Sequence, residues 1–117
     1  MTVPQFDKKL GTSETALVTG ASSGIGLEIA KILAQRGCSL ILVARRRDRL
    51  EALRVELEKE FGVRVSVIDC DLSQDKASEF LFAKVREMDL HVDILINNAG
   101  FGWVGEFDGM EPERLAE

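Results

Sequence analysis

At 117 residues, 45% hydrophobic and 30% charged, the chain has the size of one domain or less and the composition of an ordinary water-soluble fold. Its formal net charge of −5 argues against a nucleic-acid partner, whose binding needs a basic face. No apolar run approaches the roughly 20 residues of a membrane span, and Met1 to Lys9 hold no apolar segment of the secretory kind. No membrane partner and a cytoplasmic location are therefore expected.

Residues 1 to about 13 have no periodicity and read as a loose leader. The remainder, 14–117, alternates short apolar runs with amphipathic stretches, the pattern of a parallel sheet with helical crossovers. Ala16-Leu17-Val18 marks a first strand over about 15–19. Ile25, Ile29, Ile32 and Leu33, spaced i, i+4, i+7 and i+8, predict a first helix over about 24–36 with those residues as its apolar stripe. Gly37 then stands in a C-cap position. Leu40-Ile41-Leu42-Val43 reads as a second strand, buried on both faces. A second helix, about 46–60, carries Leu50, Leu53, Leu57 and Phe61 on one stripe and closes at Gly62. Strand three is Arg64 to Ile68. Ser73 is the expected N-cap of a third helix over about 74–88, with Ala77, Phe80, Leu81, Val85 and Met88 facing inward. Strand four is Asp93 to Asn97. A glycine-broken loop, Gly100 to Gly105, and a helix opening at Pro112 follow. These elements predict a doubly wound parallel sheet (Rossmann fold) of three α/β/α layers, strand order 3-2-1-4, truncated after strand four. Residues 14–117 thus read as the N-terminal half of a larger dinucleotide-binding domain.

Cys38 falls just before strand two and Cys70 just after strand three. In adjacent parallel strands that sets them at opposite sheet edges, about 15 Å or more apart, so two reduced, packed thiols are expected. His91 is the sole histidine and no C-x-x-C pair occurs, so no metal site is expected and His91 reads as a surface loop residue.

The turn Thr19-Gly20-Ala21-Ser22-Ser23-Gly24-Ile25-Gly26 is richest in chemistry. Gly20 lets the chain turn sharply. Gly24 and Gly26 stand at a helix start, where unpaired N–H groups and the positive end of the dipole attract an anion. Ser22 and Ser23 offer hydroxyls to a phosphate, or bond their own backbone as turn serines do. A turn that binds nothing is the bland alternative, and three glycines, two hydroxyls and the right flanks weigh against it.

The spacing T-G-x-x-x-G-x-G resembles the glycine motif of the short-chain dehydrogenase/reductase family. Two further blocks agree in order and spacing: Asp71-Leu72 after strand three and Asn97-Asn98-Ala99-Gly100 at the end of strand four. The resemblance runs from about Thr15 to the end of the chain. It implies an oxidoreductase moving hydride between a nicotinamide dinucleotide and a small-molecule carbonyl or alcohol, a homo-oligomer when complete. Gly20, Ser22, Ser23, Gly24, Ile25 and Gly26 would form the phosphate turn. Asp71 would accept a hydrogen bond from the adenine amino group, with Leu72 beside the ring. Asn98, Ala99 and Gly100 would pass close to the cofactor ribose. Asp71 also suits a turn or helix-start anion, and the asparagines suit amide ties between strands. Phe101, Gly102 and Trp103 either line the substrate side or pack elsewhere in the fold.

Ala44 and the run Arg45-Arg46-Arg47 follow strand two, where dinucleotide-binding folds place the residue that meets the adenosine ribose. An acid there favours NAD, whereas guanidinium groups bind phosphate through paired, charge-assisted hydrogen bonds. NADP is therefore expected over NAD, with Arg45 first, Arg46 second and Arg47 pointing to solvent. The alternative is a solvated basic patch, which the dipole at a helix start disfavours.

The family's acid–base chemistry uses a serine, a tyrosine and a lysine. This chain has no Tyr, no Lys after Lys84 and no Ser after Ser78. No catalytic residue is assigned, and the 117 residues alone are expected to be inactive. A non-catalytic dinucleotide-binding protein that senses or scaffolds is the second reading. A short chain that completes its sheet with a partner is the third.

Overall fold

The computed structural model describes residues 14–98, in which strands and helices alternate along the chain. Strands β1 (Thr15–Thr19), β2 (Ser39–Ala44), β3 (Val65–Asp69) and β4 (Ile94–Asn97) form one parallel sheet in the order β3-β2-β1-β4. Helices α1 (Gly24–Gln35), α2 (Arg47–Phe61) and α3 (Ala77–Glu87) connect them. This is the doubly wound arrangement that the alternating pattern implies, with element ends within one residue of expectation everywhere except the start of α3.

Alternation along the strands sorts the apolar residues into two cores. Ala16, Val18, Leu40, Leu42, Val65 and Val67 cluster with Ala30 and Ala34 of α1 and Leu50, Leu53 and Leu57 of α2. Leu17, Ile41, Val43 and Ile68 cluster with Ala77, Leu81 and Val85 of α3. The register keeps each set in rows: Ala16 pairs with both Leu40 and Ile94, and Leu40 with Val65. A slip of one residue would turn every row to the wrong face. Leu17, Leu40, Ile41, Leu42, Leu50, Leu57 and Leu81 are fully buried, and such side chains each contribute about 1.5–3 kcal/mol.

Left-handed residues end the helices. Gly37, at φ 95°, follows α1; its N–H donates to the Ala34 carbonyl at 3.0 Å, and the Cys38 N–H donates to Leu33 at 3.1 Å. Gly62, at φ 70°, closes α2 through the Glu58 carbonyl. α3 ends the same way without a glycine. Asp89 holds φ 56°, with its N–H on the Arg86 carbonyl and that of Leu90 on Val85.

Two helices depart from expectation in which side they bury. α1 buries Gly26, Ala30 and Ala34 rather than the isoleucine stripe, and leaves Ile25 and Ile32 70% and 50% exposed. Small residues let the helix lie close against the sheet, so Ile25 and Ile32 turn outward, while Leu33 of the expected stripe, with Leu27, still packs against the core. α3 starts at Ala77, and Ser73 does not cap it. The Ser73 hydroxyl and N–H both donate to Asp71 Oδ1, at 2.6 and 3.0 Å, closing a separate turn. Lys76, at φ 62°, then leads into the helix. The buried stripe of α3 is Ala77, Leu81 and Val85. Phe80 and Met88 stand 46% and 41% exposed and line a groove of about 510 Å³ with Val67 and Ile68.

Cys38 and Cys70 are both buried and free, and burial pushes both thiols above their ordinary range. His91 is exposed before β4, its Nε2 2.8 Å from Asp93 Oδ1. Among the described residues, no helix is long and apolar enough to cross a membrane. Nor, among them, do three or more His, Cys, Asp or Glu side chains gather as a metal would need. The leader, Ala99, Gly100, the loop with Trp103 and the helix at Pro112 lie outside the described residues.

Candidate functional site

The strand order reverses at β1, with β2 and β3 to one side and β4 to the other. In open parallel sheets, ligands bind beyond the carboxyl ends of the strands at such a reversal. The glycine turn leaves β1 at that edge, and Asn97-Asn98 ends β4 beside it.

The turn is held from three sides. The Ala21 N–H donates to the Val43 carbonyl of β2 at 3.2 Å. The fully buried Thr19 hydroxyl lies 3.2 Å from Asn97 Oδ1 and 3.4 Å from the Ile96 carbonyl, donating its proton to one of them. Asn98 Nδ2 donates to the Gly20 carbonyl at 3.4 Å. Gly20 and Gly24 have φ of 64° and 61°, the left-handed region that favours glycine. Gly26 is a glycine for a different reason. A Cβ there would lie 2.1 Å from the Gly20 carbonyl oxygen and 2.8 Å from Asn98 Nδ2.

The start of α1 is chemically open. Ser23, in extended conformation, makes no side-chain capping bond, and the first turn carries no acidic residue. Its N–H groups and the positive dipole end are therefore left for an anion. Ile25 is exposed at the same helix start, and Ser22 is half-buried in the turn.

The three arginines after β2 behave differently from one another. Arg45 is exposed and makes no hydrogen bond or ion pair among the described residues. Arg46 forks onto Asp48, with Nε 3.3 Å from Oδ1 and Nη2 3.2 Å from Oδ2. Arg47 does not point free into solvent. It bonds Asp69, at the end of β3, at 2.6 Å and Glu51 at 3.3 Å. The cost of cations at a helix start is thus offset in part by the chain's own carboxylates. Asp48 and Asp69 are each held below the usual carboxylate range by the hydrogen bond from their arginine.

Asp71 is the centre of the turn after β3. It receives the Ser73 hydroxyl and N–H on one oxygen and Gln74 Nε2 on the other, at 3.3 Å. These bonds, Ser73 foremost, and the nearby charge of Arg45 hold its carboxyl below the usual range. A carboxylate has about four acceptor sites, so the turn role leaves room for a further donor. Leu72 is half-buried against the α3-side core.

A family model described as short chain dehydrogenase matches residues 14–117. The chain belongs to the short-chain dehydrogenase family. Fatty acyl-CoA reductase of Acinetobacter baylyi is 45% identical over 87 residues, 74% of this chain and 29% of that protein. Very-long-chain 3-oxoacyl-CoA reductase of Kluyveromyces lactis is 41% identical over 98 residues, 83% of this chain and 28% of that protein. The chain therefore spans less than a third of these curated relatives. Among solved structures, L-sorbose reductase from Gluconobacter frateurii, complexed with NADPH and L-sorbose, matches with a TM-score of 0.70 and 37% identity. That match covers 87% of this chain and 39% of the other.

In this member of the short-chain dehydrogenase family, the contributions not legible in the sequence are those made through a partner side chain. Thr19 opens the glycine motif in the sequence, but its tie to Asn97 follows only from the pairing of β1 with β4. Asp48 and Asp69 carried no signal of their own. Asp69 lies 22 positions from Arg47 and meets it only because β3 pairs with β2, bringing Ala44 and Asp69 into register.

Proposed function

We propose that this chain is the cofactor-binding part of an NADP-dependent oxidoreductase that transfers hydride between NADP(H) and a carbonyl or alcohol substrate. The observation that carries the reading is the start of α1: uncapped, free of acids, and preceded by a turn that has no room for a side chain at Gly26. Those features fit the pyrophosphate of a dinucleotide. Gly20, Ser22, Ser23, Gly24, Ile25 and Gly26 would hold it. Arg45, with Arg46 behind it, would take the ribose 2′-phosphate, and Asp71 and Leu72 the adenine. Asn98, with Ala99 and Gly100 after it, would border the nicotinamide-side ribose. When bound, the nicotinamide ring supplies or accepts the hydride.

The chain's own residues bind and orient. Asn98 holds the Gly20 carbonyl, and Thr19 holds the end of β4, so the two sides of the crevice keep one spacing. The acid–base group is expected elsewhere in the whole protein, since the 117 residues hold no Tyr. NADPH in the L-sorbose reductase complex supports the cofactor, and the names of the relatives support the reductive direction. The full-length protein, given NADPH and a panel of ketones and aldehydes, is expected to oxidise NADPH only when a carbonyl is present. NADPH binding without consumption by any carbonyl, and no reduction of NADP by any alcohol, would contradict the enzyme reading in favour of a binding protein.

A further inference from the structure

Of the three guanidinium groups after β2, Arg45 alone makes no ion pair among the described residues. Arg46 is gripped through two nitrogens by both oxygens of Asp48, two residues on. Asp48 lies in the first turn of α2, where the dipole favours a carboxylate whether or not an arginine is near. Both side chains are exposed, so the pair is weak and opens readily. While closed, it holds Arg46 against Asp48 and offsets part of its charge. A 2′-phosphate arriving beside Arg45 must either displace Asp48 or do without the second fork. Arg47 offers no substitute, because Asp69 and Glu51 hold it.

We propose that Asp48 is a specificity-determining residue, limiting the preference for NADPH over NADH by withholding Arg46 from the 2′-phosphate. This rests on the NADP reading above. It makes Asp48 a positioning residue that acts through Arg46 and touches no reacting atom.

Asp48→Asn preserves shape and removes the charge. The full-length protein and its Asp48→Asn, Arg46→Ala and doubly substituted forms are titrated with NADPH and with NADH, with circular dichroism checking the fold. Asp48→Asn is expected to tighten NADPH binding about two- to fivefold and leave NADH unchanged. In the Arg46→Ala background the gain should vanish. An equal gain with and without Arg46 would reveal a bare charge effect and overturn the inference. So would an unchanged NADPH affinity in a folded Asp48→Asn variant. Asp48→Ser, suited to a first helical turn, repeats the test if the asparagine form does not fold. Equal affinity of the parent for the two cofactors would overturn the NADP reading and this inference together. A parent that prefers NADPH, with a preference that Asp48 substitutions leave unmoved, overturns the inference alone.

Discussion

Replacing Gly26 with alanine tests the phosphate turn through a single methyl group. That Cβ would lie 2.1 Å from the Gly20 carbonyl oxygen and 2.8 Å from both the Gly20 carbonyl carbon and Asn98 Nδ2. Comfortable carbon contacts begin at about 3.5 Å, so the turn must yield by about an ångström or more. Two of the three contacts are backbone atoms, which have no rotamer to retreat into. Overpacking of this kind costs about 1–3 kcal/mol. Asn98 grips the same carbonyl, so the end of β4 shifts with it. Each charge-assisted bond lost between the start of α1 and a phosphate is worth about 1.5–3 kcal/mol, so NADPH affinity should fall about ten- to hundredfold. Gly24→Ala is the matched control. Its φ of 61° is unfavourable for alanine, but nothing lies within 4 Å of the new methyl. It should cost about 1 kcal/mol of stability and only a few-fold in affinity. Thermal unfolding with and without NADPH, together with a binding titration, reads both effects. Parent-like affinity and melting temperature for Gly26→Ala, or a larger loss of affinity for Gly24→Ala, would refute the reasoning.

Asp89→Gly should stabilise the protein by about 0.5–1 kcal/mol, because it relieves a left-handed aspartate and removes an anion from a helix C-terminus. Urea unfolding measures this, and an unchanged or lower midpoint would contradict it. Asp48, Asp69 and Asp71 are each held below the usual carboxylate range, by Arg46, Arg47 and Ser73 respectively. The folded chain therefore binds fewer protons than the unfolded one in acid. The stability these groups contribute is fully present above their unfolded values and is lost as pH falls through the lowered ones. Asp69→Asn should accordingly flatten the acid limb of a stability–pH curve, and an acid limb identical to the parent's would count against the Arg47–Asp69 tie.

The alternation of strands and helices was legible because the apolar runs, from Ala16-Leu17-Val18 to Ile94-Leu95-Ile96, are short and bounded by glycine or charge. Both glycine-closed helix ends, at Gly37 and Gly62, were legible for the same local reason. Periodicity failed on α1, whose surface is apolar on more than one side. It detects a bulky stripe and is blind to the Gly26–Ala30–Ala34 face that close packing selects. It failed at Ser73 because Asp71, two residues earlier, competes for the same hydroxyl. In the candidate site, the glycine turn was legible as a motif. That Gly26 rather than Gly24 admits no side chain depends on Gly20 and Asn98 in three dimensions. The division of labour among Arg45, Arg46 and Arg47 likewise depends on carboxylates that only the fold brings near.

Above all, this crevice is proposed to hold NADP through Arg45, which forms no ion pair among the described residues. Equilibrium titration of the full-length protein with NADPH and with NADH, in the parent and in Arg45→Asp, tests it most directly. The parent should bind NADPH roughly ten- to hundredfold more tightly than NADH, and Arg45→Asp should erase or reverse that preference. Equal dissociation constants for the two cofactors in the parent, or a preference that survives Arg45→Asp intact, would contradict it.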